Sequence, residues 1–226
     1  MKYLVKITWF GHAAFKFETA KSIVLVDPFL DNNPLAPVKS AEIAKADVVF
    51  VTHDHSDHLG DAYSLCRRTK ATFVATVELA EQARKNGVNK TAGLNIGGTI
   101  EIADVRLTLV QATHTSSVGT PTGVVVESQG KTIYHAGDTG LFGDMRLIGE
   151  LYKPDVALIP IGGYYTMAAR EATEAIKLLS PKVAIPMHYK TFPVLAKSAD
   201  EFTKYVRDRV PKVKVVVLHP GESYNL

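Results

Sequence analysis

The stretch Thr52-His-Asp-His-Ser-Asp-His-Leu59 follows the apolar run Asp47-Val-Val-Phe-Val51 and is the most informative part of this chain. It places three imidazoles and two carboxylates within six residues, although the whole chain has only eight histidines. The first two histidines point the same way in an extended chain, because side chains alternate with period two. Asp57 and His58 begin a stretch of helical periodicity and should lie beside that pair. Imidazole and carboxylate ligands suit zinc, manganese and iron, so the stretch predicts metal binding rather than a polar loop that caps a helix.

Three further residues of ligand type each follow a short apolar strand later in the chain. His114 lies in Gln111-Ala-Thr-His-Thr-Ser-Ser117, Asp138 in Tyr134-His-Ala-Gly-Asp-Thr139, and His188 in Pro186-Met-His-Tyr-Lys-Thr-Phe192. Together with the first stretch, this order resembles the His-x-His-x-Asp-His signature and the later ligands of the metallo-β-lactamase superfamily. The resemblance covers essentially the full length of the chain.

Four shorter sequence segments near these ligand-type residues resemble one branch of that superfamily. They are Trp9-Phe-Gly-His-Ala13, Val26-Asp-Pro28, Pro160-Ile-Gly-Gly-Tyr164 and His188-Tyr-Lys-Thr-Phe-Pro193. The branch contains small cytoplasmic metal-dependent hydrolases that are related to the ascorbate-6-phosphate lactonases.

The resemblance implies a single domain over residues 1–226 with the metallo-β-lactamase fold. This α/β (α+β) fold is a four-layer αββα sandwich of two mixed β-sheets, with helices on the outer faces. The resemblance also implies the ligand set of two divalent metal ions. His53, His55 and His114 would hold the first ion, Asp57, His58 and His188 would hold the second, and Asp138 would bridge them.

The expected reaction is hydrolysis by a hydroxide that bridges the two metal ions and attacks an ester-type bond of a small molecule. A lactone or a phosphoester is the favoured bond, and the short motifs that resemble the lactonases suggest a phosphorylated metabolite as substrate. The predicted catalytic residues are His12, Asp57 and Asp138. Zinc or manganese suits these ligands best, and nickel or iron would also be accepted.

Other functions of the superfamily remain open at this stage. A phosphodiesterase acting on a nucleotide or a lipid head group is the first alternative. Oxidative di-iron members carry Glu where this chain has His55, which favours hydrolysis here. A mononuclear-iron dioxygenase and an inactive metal-binding scaffold are the remaining alternatives.

The sequence also suggests roles for several residues near the motifs, and His12 and Asp27 have two interpretations each. His12 would line the pocket as a proton donor or oxyanion contact, or would support a ligand from behind. Asp27 would orient a metal-binding histidine or only end a strand. Asp54 should point away from the site because of strand alternation, and His135 should be structural. The pocket candidates are Tyr164, Thr115, Ser116 and Tyr189.

The composition is that of an ordinary globular protein, with 46% hydrophobic and 22% charged residues. A net charge of +3 is too small to indicate a nucleic-acid or membrane surface. No apolar run approaches the roughly 18 residues of a membrane span, and the N-terminus lacks the pattern of a signal peptide. Cys66, the only cysteine, suits a small core residue. We therefore expect a cytoplasmic protein with a small-molecule substrate, and exposed apolar edges would allow a homo-oligomer.

Hairpin signals mixed with helical periodicity in both halves favour two mixed sheets over a purely parallel one. Ser198 and Glu201 have the spacing of a capping box. The predicted strands cover residues 3–10, 13–18, 22–26, 48–51, 72–75, 99–102, 105–110, 122–127, 132–135, 156–160, 183–185 and 213–218. The predicted helices cover residues 41–46, 57–68, 77–85, 145–152, 168–179 and 199–210.

Overall fold

Two mixed β-sheets form the centre of the fold in residues 5–226, the part of the chain that this computed structural model describes. The first sheet consists of β1 (Lys6–Trp9), β2 (Phe15–Glu18), β3 (Ile23–Val26), β4 (Val48–Phe50), β5 (Thr72–Thr76), β6 (Thr91–Leu94) and β14 (Ser223–Asn225). Its order is β14-β1-β2-β3-β4-β5-β6. Pairing is antiparallel from β14 to β3 and parallel from β3 to β6.

The second sheet has the same plan. It consists of β7 (Thr99–Ile102), β8 (Val105–Gln111), β9 (Thr122–Ser128), β10 (Lys131–His135), β11 (Val156–Pro160), β12 (Val183–Met187) and β13 (Lys214–Val215), in the order β13-β12-β11-β10-β9-β8-β7. Pairing is antiparallel from β7 to β10 and parallel from β10 to β13.

The helices cover the outer faces of the two sheets, so the predicted layers are confirmed. The bounds are α1 (Ser56–Leu59), α2 (Ala62–Thr69), α3 (Val77–Lys85), α4 (Met145–Tyr152), α5 (Ala169–Leu179) and α6 (Asp200–Arg209). Helices α2 and α3 contact the first sheet, whereas α5 contacts β11 of the second sheet and packs between α4 and α6. Within residues 5–226, no helix is both long enough and apolar enough to cross a membrane.

Strand alternation explains how one strand serves two hydrophobic layers. Phe50 of β4 and Val74 of β5 are buried in the core between the sheets. Their neighbours Val49 and Phe73 point to the opposite face and pack in the cluster that contains Leu79 of α3. Burying a side chain such as Phe50 contributes about 1.5–3 kcal/mol, so each face of the strand is held by its own layer.

The helix predicted over residues 57–68 is wrong, because the chain breaks at Gly60 into α1 and α2. Gly60 has a φ of 40°, and a Cβ there would lie 2.6 Å from Cα of Phe29 and 2.7 Å from the carbonyl oxygen of Pro28. Asp61 then accepts hydrogen bonds from the backbone N–H groups of Leu30 and Asp31, each at 2.9 Å. Because Gly60 has no side chain, its backbone packs directly against the backbone of Pro28 and Phe29 in the loop after β3.

Smaller differences occur at other elements. The helix predicted over residues 41–46 is only a 3-10 turn, Ser40–Glu42. The capping box of Ser198 and Glu201 is absent, because the last helix starts at Asp200, whose carboxylate accepts the Ser198 hydroxyl at 2.9 Å. The last predicted strand, 213–218, shortens to β13, while β6 and β14 were not predicted. Residues 3 and 4 of the first predicted strand lie outside the described residues.

Candidate metal centre

Strand ends from both sheets meet at one edge of the sandwich. In the first sheet, β4 leads directly into His53 and α1. In the second sheet, β8 and β10 both run antiparallel to β9, and β12 runs parallel to β10 through β11, so all three point the same way. Their ends lead into His114, Asp138 and His188, respectively. The two sheets thus bring residues together that are up to 135 positions apart, from 53 to 188.

His53, His55 and His114 form the first group of ligand atoms. One nitrogen from each ring lies within 4.8 Å of the others. Nε2 of His53 is 2.9 Å from Nδ1 of His55, and the His114 ring lies 5.1 and 5.2 Å from these two rings, measured between centroids. The same-side orientation that alternation predicted for His53 and His55 is therefore present.

A second group lies beside the first, and Asp138 connects them. Asp57, His58 and His188, together with His12, bring one ligand atom each within 4.8 Å of the others. Oδ2 of Asp138 is 3.0 Å from Nε2 of His188, 3.3 Å from Nε2 of His58 and 3.6 Å from Nε2 of His114. Asp138 therefore contacts members of both groups, as expected for a bridging position.

The residues fit divalent cations because their polar atoms are buried without hydrogen bonds. Nε2 of His58, Nε2 of His114, both ring nitrogens of His188 and Oδ1 of Asp138 lack a hydrogen-bond partner. The short distances to Asp138 are therefore close approaches without hydrogen-bond geometry. Buried polar groups are almost always satisfied, and a cation would provide the partner that these nitrogens and this oxygen need.

Asp27 and Thr52 set the orientation of two ligand rings from behind. Oδ2 of Asp27 accepts a 2.8 Å hydrogen bond from Nδ1 of His58, which leaves Nε2 free to bind. The Thr52 hydroxyl donates to the same carboxylate oxygen at 2.8 Å and can therefore accept from Nδ1 of His53 at 2.9 Å. The backbone N–H of Thr52 donates to Oδ1 of Asp27 at 2.8 Å. One carboxylate and one hydroxyl thus direct two Nε2 lone pairs into the site.

Electrostatics of the buried groups favour a cationic partner. Burial would lower the pKa of His58, but the carboxylates of Asp138 and Asp27 outweigh it and raise that pKa well above its usual value. Burial would raise the pKa of Asp138, but His188 and His58 lower it well below its usual value. Burial lowers the pKa of His53 to about 2, with a contribution from His58. The carboxylate of Asp138 therefore stays ionised and His53 stays neutral, while the two carboxylates beside His58 favour positive charge at that position.

His12 lies behind Asp57 instead of in the pocket. Its side chain is fully buried, and burial lowers its pKa to about 4, which keeps the ring neutral near pH 7. Nε2 is 3.1 Å from Oδ2 of Asp57, and Nδ1 is 2.9 Å from the hydroxyl of Thr191. Because a carboxylate only accepts, Nε2 carries the proton and Nδ1 accepts from Thr191. This placement fits support of a ligand and gives His12 no contact with the cavity.

Asp54 points away from the ligands, as alternation predicted. Its Oδ1 accepts hydrogen bonds from the Ser116 hydroxyl at 2.7 Å and from the Ser117 backbone N–H at 2.9 Å. Asp54 therefore fastens the loop that carries His114 to the loop that carries the first two ligands. Ser116 is used in this contact and does not line the pocket as predicted.

A cavity of about 660 Å³ opens over the ligands. Thr115 lines it as predicted, but Tyr165 lines it in place of Tyr164. Tyr189 is buried and stacks on Trp9 at 5.5 Å between ring centroids, so it belongs to the core. The residues that sequence reasoning missed are Phe29, Asn32, Ser56 and Phe192 in the lining and Thr52 and Thr191 behind the ligands.

The remaining singled-out residues are structural. His135 is buried, with Nε2 3.0 Å from the carbonyl oxygen of Ala13, while Nδ1 accepts from the N–H of Gly137 at 3.1 Å. Cys66 is buried in the layer of α2, and burial raises the pKa of its thiol to about 12.

Comparison with known proteins identifies the family to which this chain is similar. Residues 23–189, which include all seven predicted ligands, match the model of the β-lactamase superfamily domain. A UPF0173 metal-dependent hydrolase of Caldivirga maquilingensis is 48% identical over 97% of each chain. Another from Methanopyrus kandleri is 49% identical over 97% of this chain and 99% of that protein. The structure of Igni18, described as a novel metallo hydrolase from Ignicoccus hospitalis, has 42% identity, a TM-score of 0.92 and 98% coverage of both chains.

This chain therefore belongs to the β-lactamase superfamily, within the family of UPF0173 metal-dependent hydrolases. The predicted resemblance and the predicted fold class are both confirmed.

Proposed function

We propose that this protein is a hydrolase that uses two divalent cations to cleave a lactone or phosphoester bond in a small molecule. The observation that carries the proposal is the position of Asp138, whose Oδ2 lies 3.0 Å from His188 and 3.6 Å from His114. These two histidines belong to different ligand groups. A carboxylate that contacts both histidine-rich groups is placed to be shared by a pair of neighbouring cations.

The donor set suggests which ions are bound. His53, His55 and His114 would hold one cation, and Asp57, His58 and His188 would hold the other, with Asp138 shared. Nitrogen and carboxylate ligands suit zinc or manganese, and nickel or iron would also be accepted. Bound at such a site, the two cations would acidify water and polarise the oxygen of the scissile bond.

The chain's own residues then orient the reaction. Asp57 and Asp138 are the carboxylates that line the cavity, so they are placed to orient the attacking water and to accept its proton. His12 donates to Oδ2 of Asp57 and fixes the direction of that carboxylate. The His12 ring does not itself line the cavity, so its part in the reaction is to position Asp57.

The cavity supports a small substrate. Its volume of about 660 Å³ is typical of sites for small molecules. Among the described residues, no lysine or arginine lines it, which argues against a nucleotide with several phosphates. We therefore favour a small lactone or ester over the phosphodiesterase alternative.

Metal stoichiometry tests the proposal directly. Wild type and Asp138→Ala would be loaded with zinc or manganese, dialysed and measured by elemental analysis. Asp155→Ala is a matched control, because Asp155 is also buried but bonds Lys182 at the start of β11, away from the site. We expect about two ions per chain in wild type and in the control and fewer in Asp138→Ala. At most one ion in wild type, unchanged in Asp138→Ala, would refute the dinuclear site.

A further inference from the structure

The cavity over the ligands has two chemically different parts. Its floor carries the ligand side chains, among them Asp57 and His188. Its walls carry three aromatic side chains from separate parts of the sequence, namely Phe29, Tyr165 and Phe192. Phe29 is buried, Phe192 is half-buried and Tyr165 is exposed. Asn32, Ser56 and Thr115 also line the cavity, but the three aromatic rings are its large uncharged surfaces, against which the remaining atoms of a substrate can pack.

The two phenylalanines are held in a fixed relation to the floor. The His12 ring contacts Phe29 edge to face at 5.9 Å and Phe192 edge to face at 5.3 Å, measured between centroids. The same ring binds Oδ2 of Asp57 at 3.1 Å. One buried imidazole thus connects both walls to a ligand carboxylate. Such aromatic surface is preorganised, so binding an apolar group against it loses little side-chain freedom.

The charged residues around the cavity also favour an uncharged group on the substrate. Within residues 5–226, the cavity lining contains no lysine or arginine. Lys190, in the neighbouring loop, extends over the Tyr189 ring at 5.9 Å. Cations bound at the floor would neutralise an anion at the reacting end of a substrate. A second anionic group placed against Phe29 or Phe192 would lose its hydration without gaining a charged partner, which is costly.

We propose that the non-reacting part of the substrate is an uncharged alkyl or aryl group, held between Phe29 and Phe192. The protein would then act on hydrophobic lactones or esters, in contrast to the phosphorylated metabolite that the short lactonase-like motifs suggested. This inference rests on the proposed hydrolase function, which supplies the reacting end of the substrate.

A matched substrate series tests the inference on the metal-loaded protein. The lactones are γ-butyrolactone, γ-nonalactone and γ-butyrolactone with a phosphorylated hydroxymethyl group. The phosphodiesters are methyl p-nitrophenyl phosphate and phenyl p-nitrophenyl phosphate. We expect kcat/KM for the apolar member of a series to exceed that of the small member by about tenfold or more. A preference for the phosphorylated lactone, or no preference for the apolar members, would overturn the inference and leave the hydrolase function standing.

Substitutions locate the preference in the aromatic walls. Phe192→Ala should lower kcat/KM for γ-nonalactone by about tenfold, mainly through KM, and lower that for γ-butyrolactone much less. Tyr165→Ala, at an exposed position, provides a second variant with little risk to folding. Tyr164→Ala is its matched control, because Tyr164 is 69% exposed and lies outside the cavity lining. Equal effects of Tyr164→Ala and Phe192→Ala would contradict the assignment.

Binding provides a readout that does not depend on turnover. Calorimetric titration should show that 3-phenylpropionate binds wild type at least about tenfold more tightly than 3-phosphoglycerate, and that Phe192→Ala loses this difference. If neither substrate series were hydrolysed, the proposed function would fail, and this titration would still decide the inference. Tighter binding of 3-phosphoglycerate would overturn it.

Discussion

Asp27 accepts a 2.8 Å hydrogen bond from Nδ1 of His58 at the closed end of the metal centre, and both side chains are fully buried. The bond fixes the imidazole so that Nε2 points towards Asp138 at 3.3 Å. Asp27 itself has a φ of 46°, an uncommon conformation for a residue other than glycine. The chain thus holds a strained residue at the position from which a ligand is oriented.

Asp27→Asn should weaken metal binding while keeping the shape of the side chain. We expect metal affinity to fall about 10- to 100-fold, because the negative charge that supports the His58 ring is lost. Competition with a chromophoric chelator measures this affinity, and circular dichroism checks the fold. Asp155→Asn controls for removal of a buried carboxylate elsewhere. Wild-type affinity in a folded Asp27→Asn protein would refute the supporting role.

His12→Asn should reduce the affinity for one of the two cations by about tenfold or more, because Asp57 loses the donor that orients it. Occupancy at limiting metal and turnover at saturating metal separate this effect from a direct catalytic one. Thr191→Val, which removes the hydroxyl 2.9 Å from Nδ1 of His12 and leaves the His12 ring in place, should have a smaller effect in the same direction. If His12→Asn kept both cations at wild-type affinity but lost turnover, His12 would act on the substrate.

Metal removal should lower the thermal stability of the wild-type protein. Ligand atoms that lack hydrogen-bond partners, such as Nε2 of His58 and Oδ1 of Asp138, gain a partner only when a cation binds. At a metal concentration 100 times Kd, one binding site stabilises the folded state by about 2.7 kcal/mol. Differential scanning calorimetry with zinc and after dialysis against a chelator measures the change. Asp138→Ala should show a smaller difference, and identical melting temperatures in wild type would contradict a structural contribution of the metal.

Gly60→Ala should destabilise the protein by about 2 kcal/mol or more, because the new Cβ would meet the backbone of Phe29 and the φ of 40° is unfavourable for alanine. Urea denaturation measures the free energy of unfolding. Gly97→Ala tests the conformation alone, since its φ is 87° and no atom lies within 4 Å of the added Cβ. Gly143→Ala, where the added Cβ also meets nothing within 4 Å, is the neutral control. Equal stability of Gly60→Ala and Gly143→Ala would show that the close approach is not required.

The ligand groups were predictable because local rules determine them. Alternation in an extended strand puts His53 and His55 on one side and Asp54 on the other, and the structure shows both. His114 and His188 follow apolar strands, and strands of a sheet that run in the same direction end at the same edge. These features depend on short stretches of sequence, which is why spacing and order sufficed.

The aromatic walls and the break in the helix were not predictable from local patterns. Phe29 and Phe192 are 163 positions apart, yet both line the same cavity and both pack on His12. Gly60 interrupts a helical pattern because the chain must approach Phe29 closely, and that contact has no signal in the residues around it. The edge strand β6 is partly exposed, and its residues do not alternate between buried and exposed. Its pairing with β5 was therefore also not predictable from the sequence.

The pairing of β1 with β14 has a consequence for the order of events during protein synthesis. Ile7 lies opposite Tyr224, so the first sheet receives its outermost strand from residues that are translated after every other described strand. The proposed ligand His188 also emerges late, after all six of the other proposed ligands have left the ribosome's exit tunnel. A nascent chain that has not yet exposed His188 can therefore hold only part of the proposed ligand set, and complete loading with metal has to await the emergence of that residue.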